Sequence, residues 1–215
     1  MTWQKFAPND TPMRQRRIKI HGQAAVYHCI CRINAQARLL DEHAKEIFRR
    51  QMRLMADFCG VEVLTYCLMS NHVHLLVRVP EPAPVSDKEL LRRFALLYSQ
   101  QKGRVGTLEA GGKEAQQERS RLLARMGDIS AFMKELKQRF SRWYNKSHNR
   151  IGTLWTERFK SLLVENTRSA LMTAAYIELN PVRAGACVAT LRITASVVML
   201  KLWVGMCWPG WAFPP

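Results

Sequence analysis

The run Met69-Ser70-Asn71-His72-Val73-His74-Leu75-Leu76-Val77 constrains the fold more than any other part of the chain. It alternates as a β-strand does, so residues i and i+2 leave the same face. His72 and His74 then project together, and Val73 points the other way, into a core. The stretch Val61 to Leu68 is rich in β-branched and aromatic residues and reads as a strand of its own. Only Ser70-Asn71 separates the two runs, which predicts an antiparallel hairpin with the histidines on an interior strand. Two neutral imidazoles on one face can ligate a divalent metal. A bare His-x-His pattern fits two ordinary half-buried strand residues equally well, so the rest of the chain has to decide.

The other elements fit one α+β domain in a chain of 215 residues, 47% of them hydrophobic. Ala24 to Ile33 reads as a strand. Asp41 opens a helix whose Ile47, Phe48, Leu54, Met55 and Phe58 stripe is core-facing, and Gly60 ends it. Residues from about 85 to 128 are polar, charged and helix-prone, with Gly103, Gly106 and Gly111-Gly112 inside them. They read as an inserted helical hairpin with a flexible tip. Asp128 or Ser130 caps the next helix, which carries Phe132, Met133, Leu136, Phe140, Trp143 and Tyr144 on its apolar side. Lys160 to Glu165 is a further strand. A last helix from about Arg168 is expected to stop near Asn180, because Pro181 disfavours helical geometry in the residue before it. On that helix Tyr176 and Asn180 stand one turn apart on one face.

Charge speaks to partners. The chain carries 33 Lys/Arg against 17 Asp/Glu, a net +16, which points first to nucleic acid and second to an anionic membrane surface. Residues 121–160 hold ten Lys/Arg against three acids. Lys134, Lys137, Arg139, Arg142, Arg150, Arg158 and Lys160 interleave there with Trp143, Tyr144, Trp155 and Phe159. Cations neutralise phosphates and exposed aromatics stack bases, as in a single-strand groove. On this reading Trp155 and the cations bind, whereas Phe140 and Phe159 are core. The six cysteines include no Cys-x-x-Cys pair. His28, Cys29 and Cys31 have the wrong spacing for zinc, so buried, reduced thiols in a cytoplasmic protein are expected. Residues 1–20 read as a poorly ordered basic arm without a secretory signal.

Three segments together resemble a known family. The run Tyr66-Cys67-Leu68-Met69-Ser70-Asn71-His72-Val73-His74-Leu75-Leu76-Val77 looks like the histidine-hydrophobic-histidine motif of the single-tyrosine transposases, the IS200/IS605-like enzymes. Gly152-Thr153-Leu154-Trp155-Thr156-Glu157-Arg158-Phe159-Lys160-Ser161 and Ala175-Tyr176-Ile177-Glu178-Leu179-Asn180-Pro181-Val182-Arg183-Ala184-Gly185 match their REP-associated branch. The match runs over about residues 20 to 186, in the right order.

The resemblance implies a ferredoxin-like α+β fold over residues 21–190, with an antiparallel sheet and helices packed on it. It implies a metal-dependent enzyme that cleaves and rejoins single-stranded, often hairpin-forming, DNA. His72 and His74 fall on the family's metal ligands. Tyr176 falls on the nucleophile, and Asn180 on a position where relatives often place glutamine as a further ligand. The implied cofactor is Mg²⁺ or Mn²⁺, polarising the scissile phosphate. An ordinary tyrosine hydroxyl, with pKa about 10, is a weak nucleophile that needs a neighbouring cation. Attack would leave a 5′-phosphotyrosine and a free 3′-hydroxyl, and the covalent link conserves the bond for rejoining. Arg183 joins the DNA-binding candidates. The expected partners are single-stranded or hairpin DNA and no membrane, with a monomer or homodimer associated with the nucleoid. Tyr144 is the rival nucleophile, without a polar partner one turn on.

Two other readings stand beside this one. The first is a non-catalytic DNA-binding protein derived from such an enzyme. The second is a histidine phosphoesterase acting on RNA ends, which needs a second histidine motif that His21, His28, His43 and His148 do not supply. After Gly185 the likeness stops, and residues 191–215 form an atypical apolar tail. Read one base out of phase, codons for this run can encode a family-like Tyr-Arg-Phe-Gly-Gly-Tyr segment. The expectation is a frameshift near residues 186 to 192. Lys201 and Pro209 argue against reading the tail as a membrane helix.

Overall fold

The computed structural model describes residues 17–34, 40–98 and 112–184. Strands β1 (Ala25–Arg32), β2 (Glu62–Leu68), β3 (His72–Val79) and β4 (Lys160–Val164) form one sheet in the order β2-β3-β1-β4. Every pairing in it is antiparallel. Helix α1 (Glu42–Cys59) connects β1 to β2. Helices α2 (Asp87–Tyr98), α3 (Gly112–Leu123) and α4 (Ile129–Ser147) lie between β3 and β4, and α5 (Thr167–Arg183) follows β4. This is the ferredoxin-like α+β arrangement that the family resemblance implies.

The sheet is covered on both faces. Tyr27, Cys29 and Cys31 of β1 and Val73, Leu75 and Val77 of β3 turn to the face packed by α1 and α4. There Phe48, Met52 and Met55 meet Phe132, Leu136, Phe140 and Tyr144, all within 1% of complete burial. The alternate residues Val26 and Leu76 turn to the other face and meet Ala170, Ala174 and Ile177 of α5. A shift of register between Val63 and Thr65 inserts one extra residue into β2. Such a bulge reverses the alternation. It keeps Val63, Tyr66 and Leu68 on the α1 side while sending Thr65 and Cys67 towards α5.

The helix ends are written in the sequence. Asp41 accepts a 2.7 Å bond from the Ala44 N–H, and Asp128, not Ser130, caps α4 by the same contact to Ala131. Gly60 closes α1 at φ 66°, in the left-handed region. A Cβ there would also collide with the Arg93 guanidinium, which is tied to Glu89 at 2.6 Å. Gly60→Ala should therefore lower unfolding stability by about 1–2 kcal/mol in a urea titration. An unchanged midpoint would refute that account.

Three expectations need correction. Helix α5 does not stop at Asn180 but runs through Pro181 to Arg183. The bond that proline cannot make falls in the last turn, and the Ala184 N–H still closes onto the carbonyls of Asn180 and Pro181. The basic arm is anchored at its end: Arg17 donates to the Phe159 carbonyl at 2.8 Å, and its guanidinium lies 3.7 Å from the centre of the Phe159 ring. The stretch read as an insertion also feeds the main core, through Leu90 and Phe94 of α2 and Leu122 of α3. Its tip and the 191–215 tail lie outside the described residues.

Candidate active site

The strand alternation that buries Val73 and Leu75 under α1 and α4 sends His72 and His74 to the α5 side. Their ring centres are 4.9 Å apart, nearly perpendicular. Tyr176 comes to the same place from α5. Its ring centre is 5.8 Å from that of His74, edge-on, and the residue is 42% exposed. A phenol both adjacent to the imidazoles and open to solvent can be reached by a large substrate. Asn166 caps the start of α5, and Thr65 of the bulged β2 donates to Glu178 at 3.1 Å, fixing the helix against the sheet. Burial raises the Glu178 pKa.

The hydrogen bonds determine which imidazole nitrogens are free. His72 Nδ1 lies 2.7 Å from Asn71 Oδ1, an acceptor, so Nδ1 carries the hydrogen and Nε2 keeps its lone pair. The Asn180 side chain lies beside His72. Asn180 Nδ2 donates to the Tyr176 carbonyl at 3.2 Å, a bond that does not use its amide oxygen. Burial is the largest cause lowering the pKa of both histidines; the Arg32 cation adds to it at His72, and the neighbouring His28 and His72 add to it at His74, which falls to about 4. Both are then neutral at pH 7, as metal ligation requires. The donor set fits a divalent cation: two imidazole nitrogens and one carboxamide oxygen, with room for phosphate or water oxygens. Among the described residues no three His, Cys, Asp or Glu side chains form a ready-made metal-holding cluster.

The other tyrosines are elsewhere. Tyr144 is fully buried under α4 and stacked on His148 at 4.0 Å. Tyr27 is 2% exposed, with its hydroxyl accepting from Ile20 N–H. Tyr66 packs against the α1-side core, and Tyr98 lies beneath the guanidinium groups of Arg125 and Arg139. Of the five tyrosines, Tyr176 is the one that stands against the histidine pair.

The basic candidates divide into groups. Lys134, Lys137, Arg142 and Arg158 line one groove of about 770 Å³, together with Arg17. The segment walling this groove is clamped to the end of β1, where Thr156 N–H donates to the Arg32 carbonyl at 3.1 Å, and Arg32 pairs across the sheet with His72. Lys160 begins β4 and pairs with Glu157 at 3.3 Å, and the Arg183 guanidinium lies 5.4 Å from the centre of the Tyr176 ring. Arg139 lines a different hollow, with Leu97 and Tyr98. Arg150 turns inward: its Nη1 is buried without a hydrogen-bond partner, and its guanidinium lies 6.0 Å from the Tyr144 ring. Trp155 does not present a stacking face as expected. It is 7% exposed, packed on Phe48 and Phe140, and its indole N–H bonds Ser141 Oγ at 2.8 Å. Its interleaving with cations in sequence reflects a groove wall.

Two residues near the site were not anticipated. His28 of β1 lies with its Nε2 2.9 Å from His74 Nδ1. Arg32 of the same strand is the cross-strand partner of His72. The signal available was their parity: Val26, His28, Ile30 and Arg32 are the positions of β1 opposite to its core residues.

The comparisons with known proteins follow the same lines. The four-stranded antiparallel sheet carries a His-x-His strand with a tyrosine-bearing helix laid over it. The chain belongs to the IS200-like transposase family, whose sequence profile (Y1_Tnp, "Transposase IS200 like") matches residues 23–100 and 122–180, more than half of it. The REP-associated tyrosine transposase bound to a REP hairpin superposes with a TM-score of 0.52 at 16% identity, covering 81% of this chain and 75% of that one. That likeness concerns the fold. A Deinococcus radiodurans R1 protein assigned as a transposase gives a TM-score of 0.38 at 18% identity, covering 77% of this chain and 96% of that one, too loose a likeness to carry argument. No curated protein matches the sequence. Among the described residues no helix is long and apolar enough to cross a membrane.

Proposed function

We propose that this chain is a transposase of the REP-associated kind, cutting and rejoining single-stranded DNA through a bond to Tyr176. The observation that carries the reading is the solvent-open Tyr176 ring standing 5.8 Å from His74. His72 and His74 would hold Mg²⁺ or Mn²⁺ through their Nε2 atoms, with the Asn180 amide oxygen beside them. When bound, the cation neutralises charge at the scissile phosphate.

The chain's own groups do the rest. The Tyr176 oxygen attacks phosphorus and the bond from phosphorus to the 3′ oxygen breaks. The phenol's proton passes to solvent, and the leaving 3′ oxygen takes one up. A 5′-phosphotyrosine and a free 3′-hydroxyl result, and attack by a 3′-hydroxyl on the same link reverses the step without a nucleotide cofactor. Arg32 and Arg183 flank the reacting groups and offer charge to the phosphate. The groove lined by Lys134, Lys137, Arg142 and Arg158, whose wall is tied through Thr156 to the end of β1, would carry the flanking strand. The similar solved transposase is bound to a REP hairpin, which makes hairpin-forming single strands the first substrates to try.

The test is incubation with a randomised, hairpin-containing single-stranded library labelled on the 3′ side of the cut. A denaturation-resistant protein–DNA adduct should form with Mg²⁺ or Mn²⁺ and disappear with a chelator. An adduct that is equally abundant in chelator would overturn the metal dependence. No adduct with any divalent cation would favour a binding protein without turnover.

The groove makes its own prediction. Lys134, Arg142 and Arg158 are exposed there. Replacing any one by Ala should weaken single-strand binding uniformly across sequences. It should also reduce the slope of log affinity against log salt by about 0.7, one phosphate contact. Fluorescence anisotropy over a salt series reads this, and an unchanged slope in all three variants would place the strand elsewhere.

A further inference from the structure

The two histidines of the β3 motif have partners on their inner nitrogens. For His72 the partner is Asn71 Oδ1, its sequence neighbour. For His74 it is His28 Nε2, 46 residues away on β1. His28 is 6% exposed, and its ring and that of His74 have centres 5.2 Å apart and planes 26° from parallel, so the contact between the two nitrogens is close to in-plane. The strand register explains the meeting. Ile30 is the direct partner of His74, and His28 is two residues away on the same face, on the diagonal.

We infer that His28 is a positioning residue, accepting the Nδ1–H of His74 so that the Nε2 lone pair of His74 is held towards the cation site. An imidazole has one hydrogen to place when neutral. Were it on Nε2, His74 could not offer that nitrogen to a metal. A partner on Nδ1 that only accepts decides the question before any metal arrives. His28 Nε2 can do this only as an acceptor, with its own hydrogen on Nδ1. Metal-bound histidines commonly donate their second N–H to such a partner, and loss of the partner weakens affinity roughly 10- to 100-fold. His28 is not a third ligand in this arrangement, because its Nε2 is committed to His74.

This inference rests on the reading of His72 and His74 as the cation site, and the experiment separates the two. ¹⁵N-histidine spectra of the full-length, metal-free chain report the tautomer directly, with His74 assigned by comparison with His74→Ala. The expected result is hydrogen on Nδ1 of His74 in the native chain. Hydrogen on Nε2 would overturn the inference whatever metal does, and the tautomer itself is read on the native chain. Mn²⁺ titration followed by electron paramagnetic resonance gives the second arm. His28→Leu should weaken Mn²⁺ binding by roughly 10- to 100-fold, and His28→Gln, whose amide oxygen can accept in place of Nε2, should restore it to within about threefold. Unchanged affinity in a folded His28→Leu, or equal loss in both variants, would overturn it. Native chain that binds no Mn²⁺ would remove the cation reading, while the tautomer would still decide the role of His28.

Discussion

Tyr176→Phe should abolish the covalent protein–DNA adduct while leaving the fold and DNA binding in place. The substitution removes one oxygen from a ring that is 42% exposed. Surface changes of this kind usually alter stability by no more than about 0.5 kcal/mol. Asn180 bonds the backbone carbonyl of Tyr176, not its hydroxyl, so its position against His72 is kept. The loss of adduct should then be complete within detection, and turnover should fall by on the order of 10⁴-fold or more, as when an enzyme loses its nucleophile. Tyr144→Phe is the matched control. That ring is wholly buried beneath α4, on the face of the sheet away from the histidines, so adduct formation should persist. A Tyr176→Phe chain that still forms the adduct would remove Tyr176 as nucleophile and with it the proposed chemistry.

How much of this was legible beforehand depended on the range of the interactions involved. The period-2 run around His72 and His74 fixes their shared face locally, and the two-residue break before it fixes the hairpin, so β3 could be placed as an interior strand. Asp41, Asp128 and Gly60 act within one turn of their helices and were readable for the same reason. The role of His28 was not, because it depends on the β1–β3 register, set by contacts 46 residues apart. Trp155 was misread because whether an aromatic among cations faces solvent is decided by the helix that covers it, here by Phe140 and Ser141 of α4. The end of α5 was misjudged because a preference against helix before proline is weak beside a full turn of hydrogen bonds and an apolar face already docked on the sheet. The site itself joins a local motif on β3 to a helix about a hundred residues later. Its members were visible one by one, but their approach was not.

The second large effect is loss of the cation pair, and the two histidines should differ in a way that tests the geometry. His72→Ala and His74→Ala should each reduce Mn²⁺ binding below detection and remove the adduct. The double variant should be no worse than either, because ligands that act as a unit are not additive. Stability should separate them. His72 is half-buried and bonds its own neighbour Asn71, so its removal should cost within about 0.5 kcal/mol. His74 is 4% exposed, and its removal leaves His28 Nε2 buried without its partner. An unmet buried polar group costs about 1–3 kcal/mol, so the urea midpoint of His74→Ala should fall visibly. His72→Ala is thus the cleaner probe, since a lost adduct in a chain of native stability cannot be ascribed to unfolding. If that variant bound Mn²⁺ and formed adduct as the native chain does, two imidazoles on β3 would not be the place where a cation meets the scissile phosphate.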